Sequence, residues 1–151
     1  MSKQRYVVGS FDDWLHLREA LRDARSRGLV LANLYCVALE RVFAGKTIPG
    51  PMKDVLPFRG LPFPDSVETI CCTAGPLADC LMDRLNTGAR NLKGALGPWL
   101  IPRRATQFES MVVSGKILLW LRVADDGGER DAYRIFFAHS SDLVGVQDLE
   151  R

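Results

Sequence analysis

Short β-branched and aromatic runs alternate with stretches in which apolar residues recur every three or four positions, and this alternation occurs once near each end of the chain. Tyr6-Val7-Val8-Gly9-Ser10-Phe11 reads as a strand, and Ser10 with Asp13 takes the spacing of a capping box that would start a helix. Trp14, Leu17, Leu21 and Ala24 then share one helical face, while Arg18, Glu19, Arg22, Asp23 and Arg25 occupy the others. Gly28 suits a left-handed helix end, and residues 29–38 follow as a strand that is apolar on both faces. The plan repeats with a strand over residues 116–123, the turn Asp125-Asp126-Gly127-Gly128, and a helix carrying Ala132, Phe136 and His139 on one side with Tyr133 and Phe137 beside them. A short strand over residues 143–149 closes it.

Each half is thus strand, acidic turn, helix, strand. A helical crossover makes the two strands it joins parallel, and two such units in one small sheet interleave most simply as a split β-α-β. The expected fold is α/β (α+β): a ferredoxin-like sandwich with residues 6–10 and 117–123 as central strands. The expected organisation is one domain over 1–151, with core halves 5–40 and 115–150 around an insertion at 45–115.

The insertion begins with Pro49, Pro51, Pro57, Pro62 and Pro64 among Gly45, Gly50 and Gly60, which predicts loop. Val55, Leu56, Phe58, Leu61 and Phe63 alternate with those prolines, which predicts an ordered wrap over the domain surface. A short extra strand is expected at 69–72, covering the edge of the 29–38 strand. A helix opens at Pro76 with Leu77, Leu81 and Leu85 in register and stops at Gly88. A second, over 102–114, carries Ala105, Phe108 and Val112 on one face and ends at Gly115.

Composition narrows the class. The chain has 151 residues, 47% of them hydrophobic and 25% charged, in the range of globular proteins. Its net charge of +2 does not suggest a nucleic-acid partner. The longest apolar run is too short to span a bilayer and no export signal opens the chain, so no membrane association and a cytoplasmic location are expected. Cys36, Cys71, Cys72 and Cys80 are then expected as reduced thiols.

Candidate chemistry is sparse. The cysteines lack the paired spacing of a zinc site, and neither His16 nor His139 sits in a nucleophile motif, so no metal, cofactor or catalytic residue is assigned. Asp12-Asp13 and Asp125-Asp126 each precede a helix, where carboxylates cap free N–H groups. The cysteines read first as small buried apolar side chains. The candidates for ligand binding are Arg103 and Arg104, cations in a first helical turn where the dipole disfavours them, and Cys72, should the Pro76 helix lower its pKa.

Val7-Val8-Gly9-Ser10-Phe11-Asp12, the string from Gly94 through Pro98-Trp99-Leu100-Ile101-Pro102 to Arg103, and the strand at 115–123 resemble a bacterial family of general-stress or heat-induced stress protein domains. Members commonly carry a glycine-rich apolar segment between the halves, where this chain has its Pro-rich stretch. The resemblance implies no activity or cofactor. The functional expectation is a non-enzymatic binding or assembly module linked to stress, whose edge strands and apolar loops would serve a homodimer or another protein partner. The alternative is a small anionic-ligand-binding protein or thiol-dependent enzyme with its site under the insertion.

Overall fold

In the computed structural model, residues 3–29, 33–43, 58–139 and 144–150 are described. β1 (Lys3–Phe11) leads to α1 (Trp14–Ser26), and β2 (Leu34–Leu39) runs into the one-turn helix α2 (Glu40–Phe43). β3 (Phe58–Leu61), β4 (Ile70–Thr73), α3 (Pro76–Asn86), α4 (Leu92–Leu96) and α5 (Pro102–Val113) follow, then β5 (Ile117–Val123), α6 (Asp126–His139) and β6 (Val144–Glu150).

The six strands form one sheet in the order β3-β4-β2-β5-β1-β6, every neighbouring pair antiparallel. β5 lies between β1 and β2, and β1 lies between β5 and β6. The strands joined by each helical crossover are therefore parallel and separated by one strand of the other unit. α1 and α6 carry those crossovers and cover one face, where Leu17, Leu21, Ile135 and Phe136 pack on Val7, Phe11, Cys36, Leu119 and Leu121.

The opposite face belongs to the insertion. Leu77, Leu81, Leu92, Leu96, Phe108 and Val112 pack there on Tyr6, Val8, Tyr35, Val37, Leu118 and Trp120. Alternation along the strands sends successive residues to opposite layers, so β2 and the first five residues of β5 are buried on both sides. Trp120 stands at the middle of this second core. The Tyr6 and Phe108 rings meet its indole edge to face, with centroids at 5.9 and 5.6 Å, and Tyr6 also meets Tyr35 at 6.1 Å.

The insertion also lengthens the sheet. β4 pairs with β2 through Val37↔Cys72, Ala38↔Cys71 and Leu39↔Ile70, covering the β2 edge as expected. β3 is a correction, because the Pro-rich stretch was expected to be loop throughout. An outermost strand needs ladder bonds on one side only, so the four residues before Pro62 can pair with β4. Leu61 and Phe63 are buried in the core, while Pro49, Pro51, Pro57, Val55 and Leu56 lie outside the described residues.

Other boundaries shift. Ser10 is buried in β1 and does not start the helix; Asp13 is the N-cap of α1, accepting from the backbone N–H of His16 at 2.9 Å. β2 begins at Leu34, and Leu29 still donates back to the carbonyl of Ala24 at the end of α1. α4, capped by the Asn91 side chain on Gly94 N–H at 2.7 Å, is not among the elements the sequence predicts, because Gly94 and Gly97 lower helix propensity there. At Gly75, φ is +143° and a Cβ would collide with the Tyr35 ring, so the bend into α3 requires glycine.

Trp120→Ala should cost about 3–5 kcal/mol in urea denaturation, whereas Trp120→Phe should cost under about 2, since it keeps an aromatic ring between Tyr6 and Phe108. Gly75→Ala should destabilise by about 1–3 kcal/mol through strain and displacement of Tyr35.

Candidate functional site

Cys72, on β4, is fully buried, and its thiol donates weakly to the carbonyl of Thr73 at 3.5 Å. Burial pushes its pKa well above the ordinary thiol value, with the neighbouring Cys36 and Cys71 adding to the shift. The lowering that would make it a nucleophile is absent: desolvation of the thiolate outweighs any field from the start of α3. Cys36 is pushed up to about 12 by burial, and Cys71 is also raised by burial. These side chains fill core space beside Thr73, whose hydroxyl accepts from Cys36 N–H at 3.1 Å.

Arg103 and Arg104 lie in the first turn of α5, behind Pro102, on a helix whose opposite face is docked through Ala105, Phe108 and Val112. Neither makes an ion pair or a side-chain hydrogen bond among the described residues. Neither they nor Cys72 line the two clefts described below, so the three candidates are not brought together there. Among the described residues no group of three or more His, Cys, Asp or Glu is disposed to hold a metal ion.

The histidines and paired aspartates act locally. Asp13 accepts from both the backbone N–H of His16 and its ring Nδ1 at 2.8 Å, while Asp12 pairs with Lys116 at 3.2 Å. Asp125 accepts from Gly128 N–H at 2.7 Å at the start of α6. His139 meets Asp23 at 3.1 Å, tying α6 to α1, and Asp23 also holds Arg27 at 2.9 Å. The hydrogen bond from Arg27 is the main reason that the Asp23 carboxyl is held below its usual pKa.

A cleft of about 540 Å³ opens at one end of the sheet, lined by Gln4, Arg5, Arg122, Asp125, Asp126 and Asp148. Within it Arg5 reaches Asp148 at 3.2 Å, and the same guanidinium reaches Glu129 of α6 at 3.5 Å. A smaller one of about 150 Å³ has Leu39 and Ile70 among its lining and Asp65, Glu68 and Glu109 beside them. Asp65 is bound by Arg90, Glu68 by Arg41, and Glu109 accepts from Lys93 N–H. Neither cleft gathers a nucleophile with a base.

The sheet's two edges differ more than its clefts. β3 is four residues long, is followed by Pro62, and carries Arg59 in an ion pair with Asp79. β6 runs for seven residues, paired on one side with β1, and among the described residues nothing pairs with its other side. On α6, Tyr133 and Phe137 stack at 5.7 Å, and Phe137 is 70% exposed. The sequence places both residues beside the apolar face of the helix but does not distinguish the exposed ring.

No protein-family model matches the chain, and no curated protein or solved structure is similar to it at a significant level. The stress-family resemblance therefore rests on its own residues.

In the native protein the four thiols should stay unreactive towards a disulfide reagent at pH 8, and all should react once the chain is unfolded. Rapid labelling of Cys72 in the folded state would restore thiol chemistry as a reading. Asp13→Ala should cost about 1 kcal/mol at pH 7 through the lost cap. Backbone and side-chain hydrogen bonds from His16 lower the Asp13 pKa, so its contribution is present above roughly pH 4 and lost as pH falls through the lowered value. The hydrogen bond to Asp13 raises the His16 pKa, so that contribution is present below roughly pH 6.5 and lost as pH rises through the raised value. Urea titrations across pH should show both slopes in the parent chain and lose them in the variant.

Proposed function

We propose that this chain is a non-enzymatic binding or assembly module built on a ferredoxin-like split β-α-β core, acting in a stress-linked setting through the outer edge of β6. The strand order β6-β1-β5-β2, with each crossover skipping one strand, supports the core assignment. The observation that carries the functional reading is the contrast between the edges. A seven-residue strand whose outer side nothing among the described residues pairs is a template for another strand, whereas β3 is short and charged, two means by which sheets blunt an edge. Exposed Phe137 near that edge adds apolar area of the kind found at interaction sites. The motif resemblance supports the stress setting.

A second reading, small-anion binding near α5, draws on Arg103 and Arg104, which make no ion pair among the described residues. The two readings separate in one pair of measurements. Hydrogen exchange should show β6 amides that gain protection as the protein is concentrated or a protein partner is added. A thermal-shift screen of anionic metabolites should show no stabilisation. A melting-temperature rise of about 4 °C or more that vanishes in Arg103→Ala/Arg104→Ala, with β6 exchange unchanged, would favour the anion site instead.

A further inference from the structure

Between Asp83 and Glu109 the chain carries five cations, Arg84, Arg90, Lys93, Arg103 and Arg104, and no acidic residue. A net charge of +2 over the whole chain conceals this local excess. The same stretch contains the turn from α4 to α5, Gly97-Pro98-Trp99-Leu100-Ile101, where Ile101 is 63% exposed while Leu100 beside it is buried. Pro98 and Pro102 are exposed as well, and Trp99 is half-buried against the core.

The turn is held by its own backbone. The Leu96 carbonyl accepts from the N–H groups of Trp99 and Leu100 at 3.0 and 3.1 Å, and the Ile101 carbonyl accepts from Arg104 and Ala105 at 2.9 and 3.1 Å. Leu100 is anchored in the core, so Ile101 is presented to solvent in a fixed position that needs little ordering when a partner docks. Lys93 lies one turn before Gly97 on the exposed side of α4, and Arg103 and Arg104 follow in the first turn of α5. Glu109, which closes the acid-free stretch, turns its carboxylate onto the backbone N–H of Lys93 at 2.8 Å.

We infer that this turn is a docking surface for a membrane bearing anionic lipid headgroups. Ile101, Pro98 and Trp99 enter the interface, and Lys93, Arg103 and Arg104 lie among the headgroups. The inference goes beyond the β6 reading and does not depend on it, because α4 and α5 cover the sheet face opposite α6.

Charge singles out this patch. Val67 stands between Asp65 and Glu68, Leu15 follows Asp12 and Asp13, Val113 has Glu109 one turn before it, and Phe137 shares its helix with Asp126, Glu129 and Asp131. Of the exposed large hydrophobic residues among those described, Ile101 is the one in an acid-free stretch flanked by cations. A nucleic acid or a free phosphate would use the cations and leave Ile101, Pro98 and Pro102 in water. An anionic bilayer takes both, since each cation near its surface adds attraction while apolar side chains and an indole settle at the headgroup boundary. Surface docking requires no spanning segment, and no helix among the described residues is long and apolar enough to cross a membrane.

The full chain should sediment with phosphatidylcholine vesicles containing about one-third phosphatidylglycerol at about 0.05 M salt, and be released at about 0.5 M salt. With pure phosphatidylcholine vesicles it should stay in solution. Ile101→Ser and the double variant Arg103→Ala/Arg104→Ala should each weaken binding at least about tenfold with unchanged far-UV circular dichroism, while Leu15→Ser should leave it as it is. Ile101 and Arg103 are exposed, so these variants test the surface without emptying the core. Brominated acyl chains should quench the fluorescence of bound Trp14→Phe and spare that of bound Trp99→Phe. Absence of sedimentation with the anionic vesicles at low salt, or binding that neither variant weakens, overturns the inference. So does binding that the arginine substitutions weaken and Ile101→Ser leaves untouched, or that millimolar inorganic phosphate displaces, because either describes an anion site in place of a membrane surface.

Discussion

The indole of Trp120 is where the three parts of the chain are held to one another. It belongs to β5 of the second half, it touches Tyr6 of the first half, and it is met from above by Phe108 of the insertion. Its Nε1 has no hydrogen-bond partner among the described residues, so its contribution is packing and edge-to-face ring contact. A ring of this size in the middle of a sheet needs a complete layer over it. α3, α4 and α5 supply that layer, and their position follows from the area that Trp120, Tyr6, Tyr35 and Leu118 must remove from water.

This makes the insertion a structural layer. Its helices complete the second face, β4 closes the inner edge beside β2, and β3 ends the sheet there with a short charged strand. The buried thiols belong to the same layering: Cys36 and Cys72 are small apolar fillers on opposite faces, and burial raises the pKa of both. One edge is blunted in this way, while at the other β6 has, among the described residues, β1 as its only strand neighbour.

The ion pairs serve orientation. His139 with Asp23 ties the two crossover helices together, and Arg5 with Asp148 and Glu129 ties α6 to the β1–β6 ladder. These groups are half exposed or partly buried, where such pairs contribute little energy but fix direction.

The sequence alone determined the period of each major element. Val7 to Phe11, Leu118 to Leu121, the row Leu17, Leu21, Ala24, and the row Ala105, Phe108, Val112 each identify their strand or helix, because side-chain period follows directly from backbone geometry. It also marked the aspartates that cap α1 and α6, since a cap is a local hydrogen bond. It did not reveal β3 or α4, nor that Phe137 is the exposed ring of its pair. Those depend on which layer covers which face and which strand is last in the sheet. Edge and interior are relations between segments distant in the chain, and only tertiary packing decides them.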